Sequence, residues 1–241
     1  MEKGFLEKLG VEIQRLVQEI ENFAAAEIRV SATPAPSSKS GQSPKTLALM
    51  SSEMGATILY RDTEDFRSQA VLHELLHLRR YWIDFVPQIL PVDDPDGEKI
   101  KLANQIENTL EHIIIAPQEA AYGFDSYGPY SETTKKTWED YPWLAINEPW
   151  ARRKNCLLTW LTTSVLVEEP GIRDLAEQCL EKEGLLTEAQ NFSEKIEHVL
   201  RSKEHCISAT IRFLEIPRHE ATMVYLDIKN RKTLQKPIPV H

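Results

Sequence analysis

The residues best suited to chemistry are His73, Glu74, Leu75, Leu76 and His77, an H-E-x-x-H run. On a helix, side chains four apart stand one turn apart on the same face. Two imidazoles so placed can turn a ring nitrogen toward one ion. Glu74 follows the first histidine, about 100° round the helix. From there its carboxylate can reach a water on the ion without ligating the ion itself. This is the division of labour of a hydrolytic zinc site, where two histidines hold Zn²⁺ and a carboxylate takes the proton of the water.

Such a site needs a third protein ligand and one open position. The run NQIENTLEH, residues 104–112, offers Glu107, Glu111 and His112. Glu107 and Glu111 are four apart, on one face of a helix whose Ile106, Leu110, Ile113 and Ile114 are apolar. Two acids there would be costly to bury without a partner. A metal gives them a use: one ligates, and the other accepts a hydrogen bond from the free ring N–H of a ligating histidine. We take Glu107 as the ligand and Glu111 as its support. The reverse assignment stays open, and His112 as ligand would make the site all-histidine. A solvated charged face is the alternative that needs no metal.

HELLH on a helix, followed some thirty residues later by a glutamate-bearing helix, resembles the zincin metallopeptidases with a glutamate third ligand. Among them the layout is most similar to the compact ImmA/IrrE-like proteins. Glu107 and Asn108, then the apolar Ile113-Ile114-Ile115-Ala116 ending in Pro117, carry that likeness. It covers about residues 46–118. Two departures stand out: Glu107 directly precedes Asn108, and Thr109-Leu110-Glu111-His112 replaces the small residues and Phe usual in the family. The resemblance implies a small α+β zincin domain whose sheet edge could hold an extended peptide.

The elements that must position these residues can be read from spacing. Phe5, Leu9, Ile13, Leu16, Ile20 and Phe23 recur at steps of three and four, which predicts one amphipathic helix. EIRVSA (27–32), TLALMSS (46–52) and ATILYR (56–61) read as strands, the last two forming a hairpin through Glu53, Met54 and Gly55. PAPSSKSGQSPK is a long Pro/Ser/Gly loop. Asp62 or Thr63 could cap the motif helix, which ends before Pro87. A second helix spans about 98–116 and stops at Pro117, followed by the aromatic loop AYGFDSYGPYSE. Helices are expected at 132–140, 149–167, 170–183 with Gly184 as C-cap, and 188–203. ISATIRFLEI and ATMVYLDI read as a terminal hairpin, with a helix for the first half as the competing reading. The expected fold is α+β: a zincin-like domain over 1–141 and a mostly helical extension over 142–241.

The chain has 241 residues, enough to bury a core without a staple. Lys+Arg 28 against Asp+Glu 37 gives a net charge of −9, which disfavours general binding to nucleic acid or anionic membrane. Lys229, Arg231, Lys232 and Lys236 form the one basic stretch, read as a solvated tail. Cys156, Cys179 and Cys206 are odd in number and far apart, with no CxxC, so neither a disulfide framework nor a cysteine zinc site is expected. The charged N-terminus lacks a signal layout, and the longest apolar run, Cys156–Val167, is too short to cross a bilayer. A soluble cytoplasmic protein is expected.

Other residues have plainer readings. Asp93, Asp94 and Asp96 before Gly97 do not match a calcium loop and read as a turn. Arg79 and Arg80 suit a helix end. Trp82, Trp138, Trp143, Trp150 and Trp160 read as packing anchors, with Trp138, Tyr141, Trp143 and Trp150 able to form a binding wall. Tyr122, Tyr127, Tyr130 and His112 are candidate donors to an oxyanion. The function expected is a zinc-dependent metallopeptidase acting on a limited set of protein or peptide substrates, with Glu74 as general base. The alternative is a non-catalytic regulatory module on the same scaffold, binding a protein partner.

Overall fold

The computed structural model describes residues 1–32, 47–61, 66–94, 97–140 and 148–239. Among them the chain is mixed α+β, with nine α-helices and two three-stranded sheets. None of these helices is long and apolar enough to cross a membrane. Compactness divides the chain into two units, Met1–Pro87 with Val224–Leu234, and Gln88–Met223 with Gln235–His241. The PAPSSKSGQSPK loop, the capping candidates Asp62 and Thr63, Asp96, Tyr141 and Trp143 lie outside the described residues, as does most of the stretch around the expected division near 142.

The first unit opens with two helices rather than the single one expected: α1 (Lys3–Leu6) and α2 (Val11–Ala24). The break falls at Gly10, whose extended backbone starts α2. Gln14 closes the joint by donating its side-chain amide to the Leu9 carbonyl at 2.7 Å. Ile13, Leu16, Val17 and Ile20 form the buried stripe of α2. Strands β1 (Arg29–Ala32), β2 (Leu47–Ser52) and β3 (Gly55–Tyr60) make a sheet ordered β1-β3-β2. β2 and β3 pair antiparallel from Leu47 opposite Tyr60 to Ser52 opposite Gly55, which is the expected hairpin. β1 joins β3 in parallel. Helix α3 (Ser68–Trp82) packs on α2, β2 and β3 and buries Val71, Leu72, Leu75, Leu76 and Leu78.

The basic stretch is not a tail. It forms the turn and second strand of a terminal hairpin, β5 (Ala221–Asp227) and β6 (Lys232–Pro237). The turn is fixed within the first unit: Arg231 donates to the Met54 carbonyl at 2.8 Å, and Thr233 donates to the Glu53 carboxylate at 2.8 Å. The Lys229 ammonium stands 3.8 Å from the centre of the Phe23 ring.

The second unit begins with β4 (Gln88–Pro91), inside a segment whose prolines and aspartates had suggested only a connection. β4 heads the second sheet, ordered β4-β5-β6. Helix α4 (Glu98–Ala121) runs past the expected stop, with Pro117 inside it. Proline removes one donor and fixes a helical φ, so a turn beyond it can survive if held. Ser126 holds it by donating to the Ala116 carbonyl at 2.7 Å. The aromatic stretch is therefore no loop: α5 (Tyr127–Asp140) starts inside it.

Helix α6 (Pro149–Leu166) packs against α4, α5, α7 (Pro170–Lys182) and α8 (Leu186–Val199). Trp138 and Trp160 are core anchors as expected, donating to Thr163 at 2.9 Å and Ser193 at 3.2 Å. Gly184, at φ +70°, ends α7 as expected. ISATIRFLEI is not a strand: most of it lies in α9 (Lys203–Phe213), capped by Ser202, whose hydroxyl accepts from the His205 N–H. Its Cys206, Ile207 and Ile211 recur at helical spacing and are buried.

Candidate metal centre

The first unit holds the H-E-x-x-H motif on α3, as the sequence requires. The buried leucines and Val71 fix the helix against its neighbours. His77 is 9% exposed, and His73 and Glu74 are half-buried. The two imidazole rings meet edge to face, with centroids 4.9 Å apart and planes at 80°. Their Nε2 atoms are 3.3 Å apart. Tyr81, one turn on, stacks against His77 at 6.0 Å and 21°.

The nitrogen spacing tests whether an ion fits. Two nitrogens each 2.0–2.1 Å from a tetrahedral ion must lie about 3.3 Å apart. The histidine pair has that separation, so His73 and His77 could hold a metal ion. Glu74 is on the same helix. Arg79 is committed elsewhere, to Asp84 at 3.2 Å and Glu19 at 3.5 Å, and Arg80 is buried.

The second unit places Glu107, Glu111 and His112 on α4. Glu111 is fully buried, and Lys203 from the first turn of α9 is 1% exposed at its side chain. The Lys203 ammonium donates to Glu107 at 2.9 Å and to Glu111 in a shorter contact. The second oxygen of Glu107 accepts from the Ile89 N–H at 3.2 Å. Burial pushes the Glu107 carboxyl up from its ordinary range and the charge of Glu111 adds to this, while Lys203 pulls the other way. The partner seen for the two buried acids is an ammonium. Lys203 was missed in the sequence. One signal was available, since a cation in the first turn of a helix opposes the helix dipole and needs an acid nearby.

His112 lies beside this cluster in sequence. Its ring centroid is 5.7 Å from that of Tyr130 on α5. Burial and the charge of Glu119 hold the Tyr130 hydroxyl well above the ordinary phenol range, so it stays a proton donor at neutral pH. His112 and Tyr130 share a cavity of about 390 Å³ with Thr109, Thr133 and Thr159. Tyr122 is exposed and Tyr127 half-buried. Asp94 is a capping residue: its carboxylate accepts from the N–H groups of Lys99 and Ile100, both at 2.9 Å, at the start of α4.

No family model, curated protein or solved structure matches this chain. A functional reading therefore stands on the residues themselves.

Proposed function

We propose that the chain is a zinc-dependent metallopeptidase acting on protein or peptide substrates. The observation that carries this reading is the histidine pair of α3, whose Nε2 atoms have the separation a tetrahedral ion demands. Zinc bound there would lower the pKa of its water and polarise a scissile carbonyl. Glu74, on the same helix, accepts the proton of the attacking water and delivers it to the leaving amine. The third ligand comes from α4. We assign it to His112, because Lys203 already neutralises the acid pair we had favoured, Glu107 and Glu111. Tyr130, protonated and beside His112, is the donor for the oxyanion.

The test is metal content by plasma mass spectrometry, then cleavage of a fluorescence-quenched peptide library. The wild type should hold about one zinc per chain, and a His73→Ala/His77→Ala variant none. Glu74→Gln should keep the zinc and lose about 10²–10⁴-fold in cleavage rate. A wild type that takes up no zinc from solution would overturn the reading. Zinc bound without cleavage of any peptide would favour a regulatory module that binds a protein partner.

A further inference from the structure

Helix α6 starts at Pro149 with Glu148 as its cap, the carboxylate accepting from the N–H groups of Trp150 and Ala151. Trp150 is fixed by its indole N–H, which donates to the Leu214 carbonyl at 3.2 Å. One turn on stands Lys154, only 6% exposed. A buried lysine ordinarily carries its ammonium out to water. Here the ammonium lies against Trp150, 2.8 Å from the centre of the ring. Among the described residues no carboxylate comes within ion-pair distance of it. Burial lowers its pKa to about 8, against the opposing pull of Glu148.

Lys154 faces a cavity of about 360 Å³. The walls are apolar, with Ile89 from β4, Leu102 and Ile106 from α4, Ile211 from α9 and Ile216 beyond it. Two acids also line it, and both are engaged: Glu220 pairs with Lys99 at 3.1 Å, and Glu98 with Lys101 at 2.6 Å. The site is thus a largely apolar cavity with the Lys154 ammonium in its wall, paired with no carboxylate among the described residues and pulled only at longer range by Glu148.

We infer that this cavity in the second unit binds an aliphatic carboxylate, its head group on Lys154 and its chain along Ile89, Leu102, Ile106 and Ile211. Charge complementarity selects an anion, since a cation set in an apolar wall gains from a partner that pairs with it. A monoanion with a small head fits better than a phosphate: of the two lining lysines Lys99 is already held by Glu220 at 3.1 Å, which leaves one ammonium, and Glu148 already occupies the N-terminus of α6. A volume near the lower limit for ligand pockets suits a chain of about ten carbons.

Calorimetric titration of the full-length protein with decanoate and decan-1-ol, both kept below micelle-forming concentrations, tests this directly. The two molecules share a chain and differ in the charged head. Decanoate should fill one site and bind at least about tenfold more tightly than decanol. Lys154→Met should bring decanoate down to the affinity of decanol. Ala103→Phe, which fills the chamber from α4, should abolish binding of both. Equal binding of the two molecules to the wild type would overturn the inference, and that comparison needs no variant. So would decanoate binding that Lys154→Met leaves unchanged, or the absence of any saturable binding of decanoate.

Discussion

Lys203 and the two glutamates it holds make up the most charged interior site described in this chain. Removing one partner of a buried ion pair leaves an uncompensated charge and costs about 3–5 kcal/mol. Lys203→Met should therefore lower the unfolding free energy, read from urea denaturation, by that amount. Adding Glu107→Gln and Glu111→Gln to it should restore most of the loss, because neutral amides no longer repel each other in the same space. The ligand assignment divides along the same residues. His112→Ala should lower zinc affinity, while Glu107→Gln should leave it nearly unchanged, as measured by competition with a chelating dye. The histidine pair was legible in the sequence because one helix carries both residues and its pitch sets their geometry. The role of Glu107 and Glu111 was only half legible. Their burial could be reasoned from the isoleucines around them, but their partner lies 96 and 92 residues away.

At the scale of elements, local signals succeeded where the deciding interaction was local. The β2–β3 hairpin formed as read, since two strand-like runs flank a two-residue turn before a glycine. Elements that depend on a distant hold were misread. Pro117 looked like a stop, but Ser126 secures the turn beyond it. Ser126→Ala should thus cost about 1 kcal/mol, measured by thermal unfolding. The run after Ser202 was ambiguous because its β-branched residues suit a strand while its apolar spacing suits a helix. Packing on α8 and α4 decides for the helix. Gly184 behaves as a local signal should: at φ +70° it lets the Leu185 N–H reach the Leu180 carbonyl at 2.8 Å. Gly184→Ala should destabilise the protein by about 1–2 kcal/mol through left-handed backbone strain.

For the molecule as a whole, composition indicated an acidic, globular chain, while the α+β class, which the structure bears out, came from residue spacing. Composition carries no information about internal cations such as Lys154. That residue leaves a mark on global stability. Its pKa is about 8 when folded and near 10.5 when unfolded. Between those values the unfolded chain binds more protons, so stability rises with pH. Lys154→Met has no such slope. Its expected advantage over the wild type below pH 8 should shrink as pH climbs to 10.5, by less than the full shift would give because water screens the ammonium. Paired denaturation curves across that range would show it, and a constant difference would contradict it.

The salt cluster of α4 and α9 also sets an order on biosynthesis. Glu107 leaves the ribosome 96 residues ahead of the lysine that neutralises it. At ordinary rates of synthesis that interval lasts roughly 5–20 s. Throughout it, the two acids of α4 are best kept hydrated, so the nascent helix would hold its inner face open to water until α9 emerges. Final closure of the second unit is therefore a late event, and a chain stalled before residue 203 would display the isoleucines of α4 to chaperones and proteases.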